Sequence, residues 1–173
     1  NLVVAGNFNV TNVDELFDLL VNIGQHPKEV SDTITVIEKI GHFLDQENNR
    51  LFKEYNEKGF NNKEISSLIA KNMDIPSILK NASMDWDGGY TMAGLIGHGD
   101  AFVLRDPNGI RPAFWYEDDE VLVVTSERPV IQTAFNVKWE NVNELKPGHA
   151  LIVKKDFDVK EVEINSSSNL QKC

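Results

Sequence analysis

The chain has 173 residues with 27 acidic against 17 basic side chains, a net charge of -10, 41% hydrophobic residues and 25% charged ones. That balance supports one substantial buried core and excludes a disordered chain, while the negative mean field opposes binding to nucleic acid. No apolar run approaches the ~20 residues of a membrane span, and the single cysteine, Cys173, cannot form an internal disulfide, so a cytoplasmic protein is expected.

In chain order, Leu2-Val3-Val4-Ala5 reads as a buried strand that opens without a turn or an initiating Met. Asn12 with Glu15 three residues later has capping-box spacing, and Val13, Leu16, Phe17, Leu20 and Ile23 recur at three and four before Gly24, which predicts a helix over about 13–23. After Pro27, Ser31-Asp32 opens a second helix with Ile34, Ile37, Ile40 and Leu44 on one stripe; Leu51, Phe52 and Tyr55 extend it as one long helix or a broken pair. Asn61 and Glu64 form another cap pair, and Pro76 suits the first turn of a further short helix. From Gly88 the pattern changes to short apolar runs at 90–96, 101–104, 113–116, 121–124 and 150–153, with a helix near 129–135 and an alternating edge strand at 159–164. Asp106-Pro107-Asn108-Gly109 has type I turn chemistry. Helices first and sequential strands afterwards predict an α+β fold with mainly antiparallel sheets.

Walker A, G-x-G-x-x-G, H-E-x-x-H and CxxC patterns are all absent, and His26, His42, His98 and His149 have no ligand spacing, so no metal site is expected. Three segments carry more specific information. Gly6-Asn7-Phe8-Asn9-Val10-Thr11-Asn12 resembles the His-Asn-Gly-Asn-Leu-Thr-Asn segment of N-terminal-nucleophile amidotransferases, and Ser31-Asp32-Thr33 resembles their Ser-Asp-Thr-Glu segment, with Ile34 in place of the glutamate. The third runs from Gly88 to Ala150 and contains the octet Arg105-Asp106-Pro107-Asn108-Gly109-Ile110-Arg111-Pro112, then Thr125-Ser126-Glu127 and Leu145-Lys146-Pro147-Gly148, in the order found in amidophosphoribosyltransferases. Together these matches cover about residues 2–155 and leave the helical stretch near 46–75 as an apparent insertion.

The resemblance implies the αββα four-layer sandwich of the N-terminal-nucleophile hydrolases, here incomplete. Residues 1–164 would form a partial glutaminase domain and residues 165–173 a linker towards a phosphoribosyltransferase domain. It implies that a cysteine at the mature N-terminus attacks the glutamine amide, and that ammonia passes to phosphoribosyl pyrophosphate to make phosphoribosylamine at the start of purine synthesis. The side chain of Asn7 and the backbone N–H of Phe8, which stands where the family has glycine, would form the oxyanion hole, and Asp32 would hold the glutamine amino group. The reason is electrostatic: negative charge grows on the amide oxygen, and fixed donors aimed at it lower the barrier. With Asn1 first in the chain, no glutamine hydrolysis is expected from these residues alone. No cofactor is expected in the segment itself. Magnesium would belong to the transferase domain, an iron–sulfur cluster to one branch of the family, and a homo-oligomer to the full-length protein. Such a cluster needs about four cysteines and only Cys173 is present, so a spare thiol is expected.

Plainer readings stand beside these. Asn7 can satisfy a turn, and Asp32 can serve as a helix cap. Arg105 and Arg111 are expected to be structural, as parts of a salt-bridged hairpin turn. The glutaminase domain of another amidotransferase, or a non-catalytic scaffold or regulatory module of the same fold, are the alternatives.

Overall fold

Residues 1–165 are described in the computed structural model of the chain; of the expected linker 165–173, all but Asn165 lies outside the described residues, Cys173 included. The chain opens with β1 (Leu2–Val10), longer than the four-residue run predicted, because Phe8 and Val10 continue the alternation begun by Leu2 and Val4. The four helices that follow are α1 (Val13–Asn22), α2 (Asp32–Glu57), α3 (Asn62–Asn72) and α4 (Ile75–Ser83). Then come β2 (Gly88–Ile96), β3 (Ala101–Arg105), β4 (Phe114–Glu117), β5 (Leu122–Thr125), α5 (Arg128–Phe135), a 3-10 turn at Trp139–Asn141, β6 (Asn143–Glu144), β7 (His149–Val153) and β8 (Val159–Glu163). The α+β class with antiparallel sheets holds.

Two sheets form. The larger has the order β1-β2-β3-β7-β8 and the smaller β5-β4-β6, and every described pairing is antiparallel. Strand alternation divides the core between the faces of the larger sheet. Phe8, Val10, Tyr90, Met92, Phe102, Leu104, Ala150 and Ile152 turn to the helices and meet Leu16, Val36, Ile40, Ile65 and Leu79. Burying each large aliphatic side chain of that set contributes roughly 1.5–3 kcal/mol. On the opposite face Val103 and Leu151 meet Ala113, Leu145, Trp115, Leu122 and Val124 from the smaller sheet and its connections. The far side of that small sheet carries α5: Arg128 lies over the Phe114 ring and Tyr116 contacts Phe135.

Several expectations are revised. Asn12 does not cap α1; its amide donates to the Asp85 carbonyl and accepts from the Asp87 N–H, tying the start of α1 to the loop before β2. The second helix is one unbroken 26-residue element capped by Ser31. Its most buried apolar positions are Val36, Ile40, Leu44 and Leu51, so the core stripe lies beside the Ile34 and Ile37 line, because Thr35 and Lys39 also turn inward. Lys39 is tolerated there by an ion pair with Asp85 at 3.2 Å. The stretch near 46–75 consists of the end of α2, all of α3 and the connection into α4. β1 is not a fully buried strand. It is an edge strand, and Val3 is 65% exposed because the smaller sheet does not reach across to cover it.

Candidate functional site

The octet 105–112 is a scaffold for the space between the two sheets. Asp106, fully buried, accepts backbone N–H groups from Asn108, Ile110 and Arg111 at 2.9 to 3.0 Å, which converts the Pro107–Gly109 turn into a rigid knot. Arg105 pairs with Glu144 at 2.8 Å and donates to the carbonyls of Gly109, Arg111 and Leu145, so each of its three guanidinium nitrogens is bonded to a protein group. The structural role expected for Arg105 is therefore what its hydrogen bonds describe, and it fixes β6 beside the turn.

Asn7 sits on β1 opposite Thr91 of β2, on the face turned towards the smaller sheet. It lines a cavity of about 390 Å³ shared with Ala5, Thr91, Arg111, Ser126 and Glu127. That volume is within the ~300–1,000 Å³ of small-molecule sites. The Asn7 amide makes no hydrogen bond to the described residues, so both its donors are free for a ligand. Its neighbour Gly6 lets β1 press against β2: an added Cβ would lie 2.5 Å from the Thr91 carbonyl oxygen and 2.8 Å from Met92.

Phe8 follows on the same strand with its ring directed to the helices, so the ring does not enter the Asn7 cavity. The destination of its N–H follows from the ladder. Thr11 donates to Asp87 and Gly97 to Asn1, so the odd-numbered residues of β1 bond to β2, while the Tyr90 carbonyl opposite Phe8 is turned to Asp106 on the β3 side. The alternation of an antiparallel pair then points the Phe8 N–H away from β2, out of the free edge of β1. Phe8 keeps a negative φ, since Asn136 and Phe157 are the only non-glycine residues with positive φ among the described residues. Glycine's freedom is not needed for this donor.

Asp32 lies in the first turn of α2, whose core face packs on the helical side of the larger sheet, and it does not line the Asn7 cavity. Its carboxylate accepts the Thr33 N–H at 2.8 Å, and among the described residues it has no Lys or Arg partner. Capping of α2 falls to Ser31, which accepts the Ile34 N–H. Arg111 was not singled out from sequence as a site residue, and nothing in its spacing separates it from Arg105; only their hydrogen bonds differ.

Three of the four histidines make local contacts: His42 meets Gln25 and Gln46, His149 meets the Pro147 carbonyl, and His98 lies 3.0 Å from Asp100. Among the described residues no group of three or more His, Cys, Asp or Glu is arranged to hold a metal ion, and no helix is long and apolar enough to cross a membrane.

The family model of class-II glutamine amidotransferases matches residues 60–172, well over half of the sequence. The chain belongs to the class-II glutamine amidotransferases. The matched range begins inside the stretch read as an insertion and contains the octet, the Ser-Glu pair and the Pro-Gly pair. Among relatives of this family, an amidophosphoribosyltransferase of Lachancea kluyveri is 33% identical over 96 residues, covering 53% of this chain and 18% of its own length. The chain thus spans under a fifth of that relative. Among solved structures, the glutamine phosphoribosylpyrophosphate amidotransferase of B. subtilis, complexed with ADP and GMP, matches 97% of this chain with 30% of its own, at a TM-score of 0.63 and 23% identity. An allosteric regulatory enzyme of purine biosynthesis matches 98% of the chain at a TM-score of 0.60, also 23% identical. These two likenesses place the chain in the amidotransferase fold.

Proposed function

We propose that the chain is the glutamine-hydrolysing part of an amidophosphoribosyltransferase, folded as the four-layer αββα sandwich of the N-terminal-nucleophile hydrolases. The order helices, five-stranded sheet, three-stranded sheet and α5 supports that layering. On this reading the chain works within a longer polypeptide, in which a cysteine ahead of residue 1 supplies the nucleophile and a transferase domain follows. Magnesium, an iron–sulfur cluster where the branch has one, and the contacts of a homo-oligomer belong to that longer protein, as does its cytoplasmic setting.

The observation that carries the proposal is a pair of adjacent donors on β1 that the described residues leave unused. The Asn7 amide faces the cavity and the Phe8 N–H leaves the adjoining edge. When a thiolate attacks the glutamine side-chain amide, the carbonyl oxygen becomes an oxyanion, and these donors stabilise it by roughly 3–4 kcal/mol each. The tetrahedral intermediate expels ammonia and leaves a thioester, which water cleaves to glutamate. The resemblance gives Asp32 the glutamine ammonium, through a charge-assisted bond, but its carboxylate lies at the start of α2 and outside the Asn7 cavity, so this part of the reading requires the amino acid to reach past the edge of β1. The ammonia then meets phosphoribosyl pyrophosphate on the transferase domain and forms phosphoribosylamine.

The test is a paired assay on the longer polypeptide, following glutamate release from glutamine and pyrophosphate release from phosphoribosyl pyrophosphate. The proposal predicts that each product appears in equal amounts when both substrates are present. Glutamate release that proceeds without any pyrophosphate release would assign the chain to a different amidotransferase.

A further inference from the structure

At the end of the β2–β3 hairpin away from the octet, a cavity of about 460 Å³ opens between α3 and the turns that follow β2 and β7. Its lining runs against the charge of the molecule: Lys71, Lys154 and Lys155 stand against Asp100 and Asp156, in a chain whose net charge is -10. Asp100 is used internally. It is buried, receives the Lys154 ammonium and the Lys155 N–H, and lies 3.0 Å from His98. Asp156 is exposed. Among the described residues no carboxylate comes within the 4.0 Å of an ion pair with the ammonium group of Lys71 or Lys155, so both charges remain available to a ligand.

Lys155 is also held in place before any ligand arrives. Asp100 fixes its N–H at 2.9 Å, and its stem lies across Gly99, where an added Cβ would come within 3.1 Å of Lys155 Cγ and Cδ. Gly99 has a φ of +110°, which glycine adopts freely, so this turn both reverses the chain and leaves room for the lysine to cross it. A side chain ordered in advance loses less entropy on binding. The residue types indicate the ligand. A planar carboxylate is gripped best by the fork of an arginine, whereas the compact ammonium of lysine acts as a point charge and suits a tetrahedral phosphate. Ala70 and the aliphatic stems of the three lysines give the cavity apolar walls, and its volume falls in the ~300–1,000 Å³ of small-molecule sites, more than a bare phosphate fills.

We propose that this cavity binds a small phosphate monoester, with the phosphate between Lys71 of α3 and Lys155 of the turn after β7, and the organic body against Ala70 and the lysine stems. It shares no lining residue with the Asn7 cavity, and the inference stands independently of the glutaminase reading. A bound phosphate would join α3 to the two turns that Asp100 already ties together.

The experiment is an NMR titration of the chain with inorganic phosphate, phenyl phosphate and the neutral benzyl alcohol, following the backbone amides of Lys71, Gly99 and Lys155. The proposal predicts saturable shifts with phenyl phosphate, binding at least about fivefold tighter than inorganic phosphate because the ring adds apolar contact, and no saturable shift with benzyl alcohol. Lys71→Gln and Lys155→Gln should each weaken phenyl phosphate binding about tenfold; both side chains are exposed, so the variants are expected to keep the fold. Absence of a saturable shift at these amides with either phosphate up to about 20 mM, a readout that needs no variant, would overturn the proposal. Equal affinity in the unsubstituted chain and in the double variant would overturn it as well, and phenyl phosphate binding no tighter than inorganic phosphate would overturn the assignment to a monoester.

Discussion

Gly6 shows how one residue can set the position of its neighbour, here Asn7. A Cβ there would sit 2.5 Å from a backbone oxygen of β2, and backbone cannot step aside as a flexible side chain could. Gly6→Ala is therefore expected to push β1 off β2 and cost roughly 2 kcal/mol or more in chemical denaturation, with the Asn7 cavity distorted in the folded fraction. The motifs single out Asn7 and Phe8 as candidates, and the turn expected at Asp106-Pro107-Asn108-Gly109 is present, closed by the Gly109 N–H on the Asp106 carbonyl. What could not be read was the direction of each group. That the ring of Phe8 leaves the cavity while its N–H stays at the edge follows from the pairing of Phe8 with Tyr90, a register that local sequence does not encode. The contrast between Arg105 and Arg111 was equally hidden, since it depends on Glu144 and the Leu145 carbonyl, some 39 and 40 positions away.

At the scale of elements, capping chemistry was a good guide where the helix end is exposed and a poor one where tertiary contacts compete. Asn61 and Glu64 form the full capping box expected of them, each satisfying the other's backbone N–H. Asn61→Ala should remove that arrangement and destabilise α3 by about 1 kcal/mol, seen as a lower denaturation midpoint with an unchanged slope. Asn12 has the same spacing to Glu15, but its amide is used by Asp85 and Asp87, a partner loop more than seventy residues on. In α2 Ile40, Leu44 and Leu51 are buried as the apolar stripe predicts, but the first turns are phased differently, because Thr35, Val36 and Lys39 turn inward where Ile34 and Ile37 were expected. The two-residue β6 had no sequence signal, since a bridge that short shows no alternation; it exists because β4 offers it an edge.

For the molecule as a whole, one buried carboxylate ties the two ends of the larger sheet's hairpins together. Asp100, between β2 and β3, receives the Lys155 N–H, the Lys154 ammonium and a close contact from His98, joining that turn to the one after β7. Burial by itself would raise its pKa, but the hydrogen bonds from Lys154, His98 and Lys155 outweigh it and leave the group below its ordinary value of 3.8. A depressed folded-state value stabilises the fold above the ordinary carboxylate range, and that stabilisation is lost as pH falls through the folded value. Asp100→Asn should thus lower stability by roughly 2 kcal/mol near neutral pH and flatten the acid limb of a stability–pH curve measured from pH 7 down to 2. A variant that keeps the full acid dependence would show that other carboxylates govern it. The division of the fold into helices followed by strands was legible from composition and period alone. The open face beside β1 was not, because exposure of Val3 depends on how far the smaller sheet extends.

The central claim is that Asn7 donates to charge that develops only during attack on the glutamine amide. It is tested most directly by steady-state glutamine hydrolysis in the longer polypeptide, comparing Asn7 with Asn7→Ala. The account predicts a fall in kcat of about 100- to 1,000-fold with KM changed by no more than about threefold. An unchanged kcat, or a loss confined to KM, would contradict it.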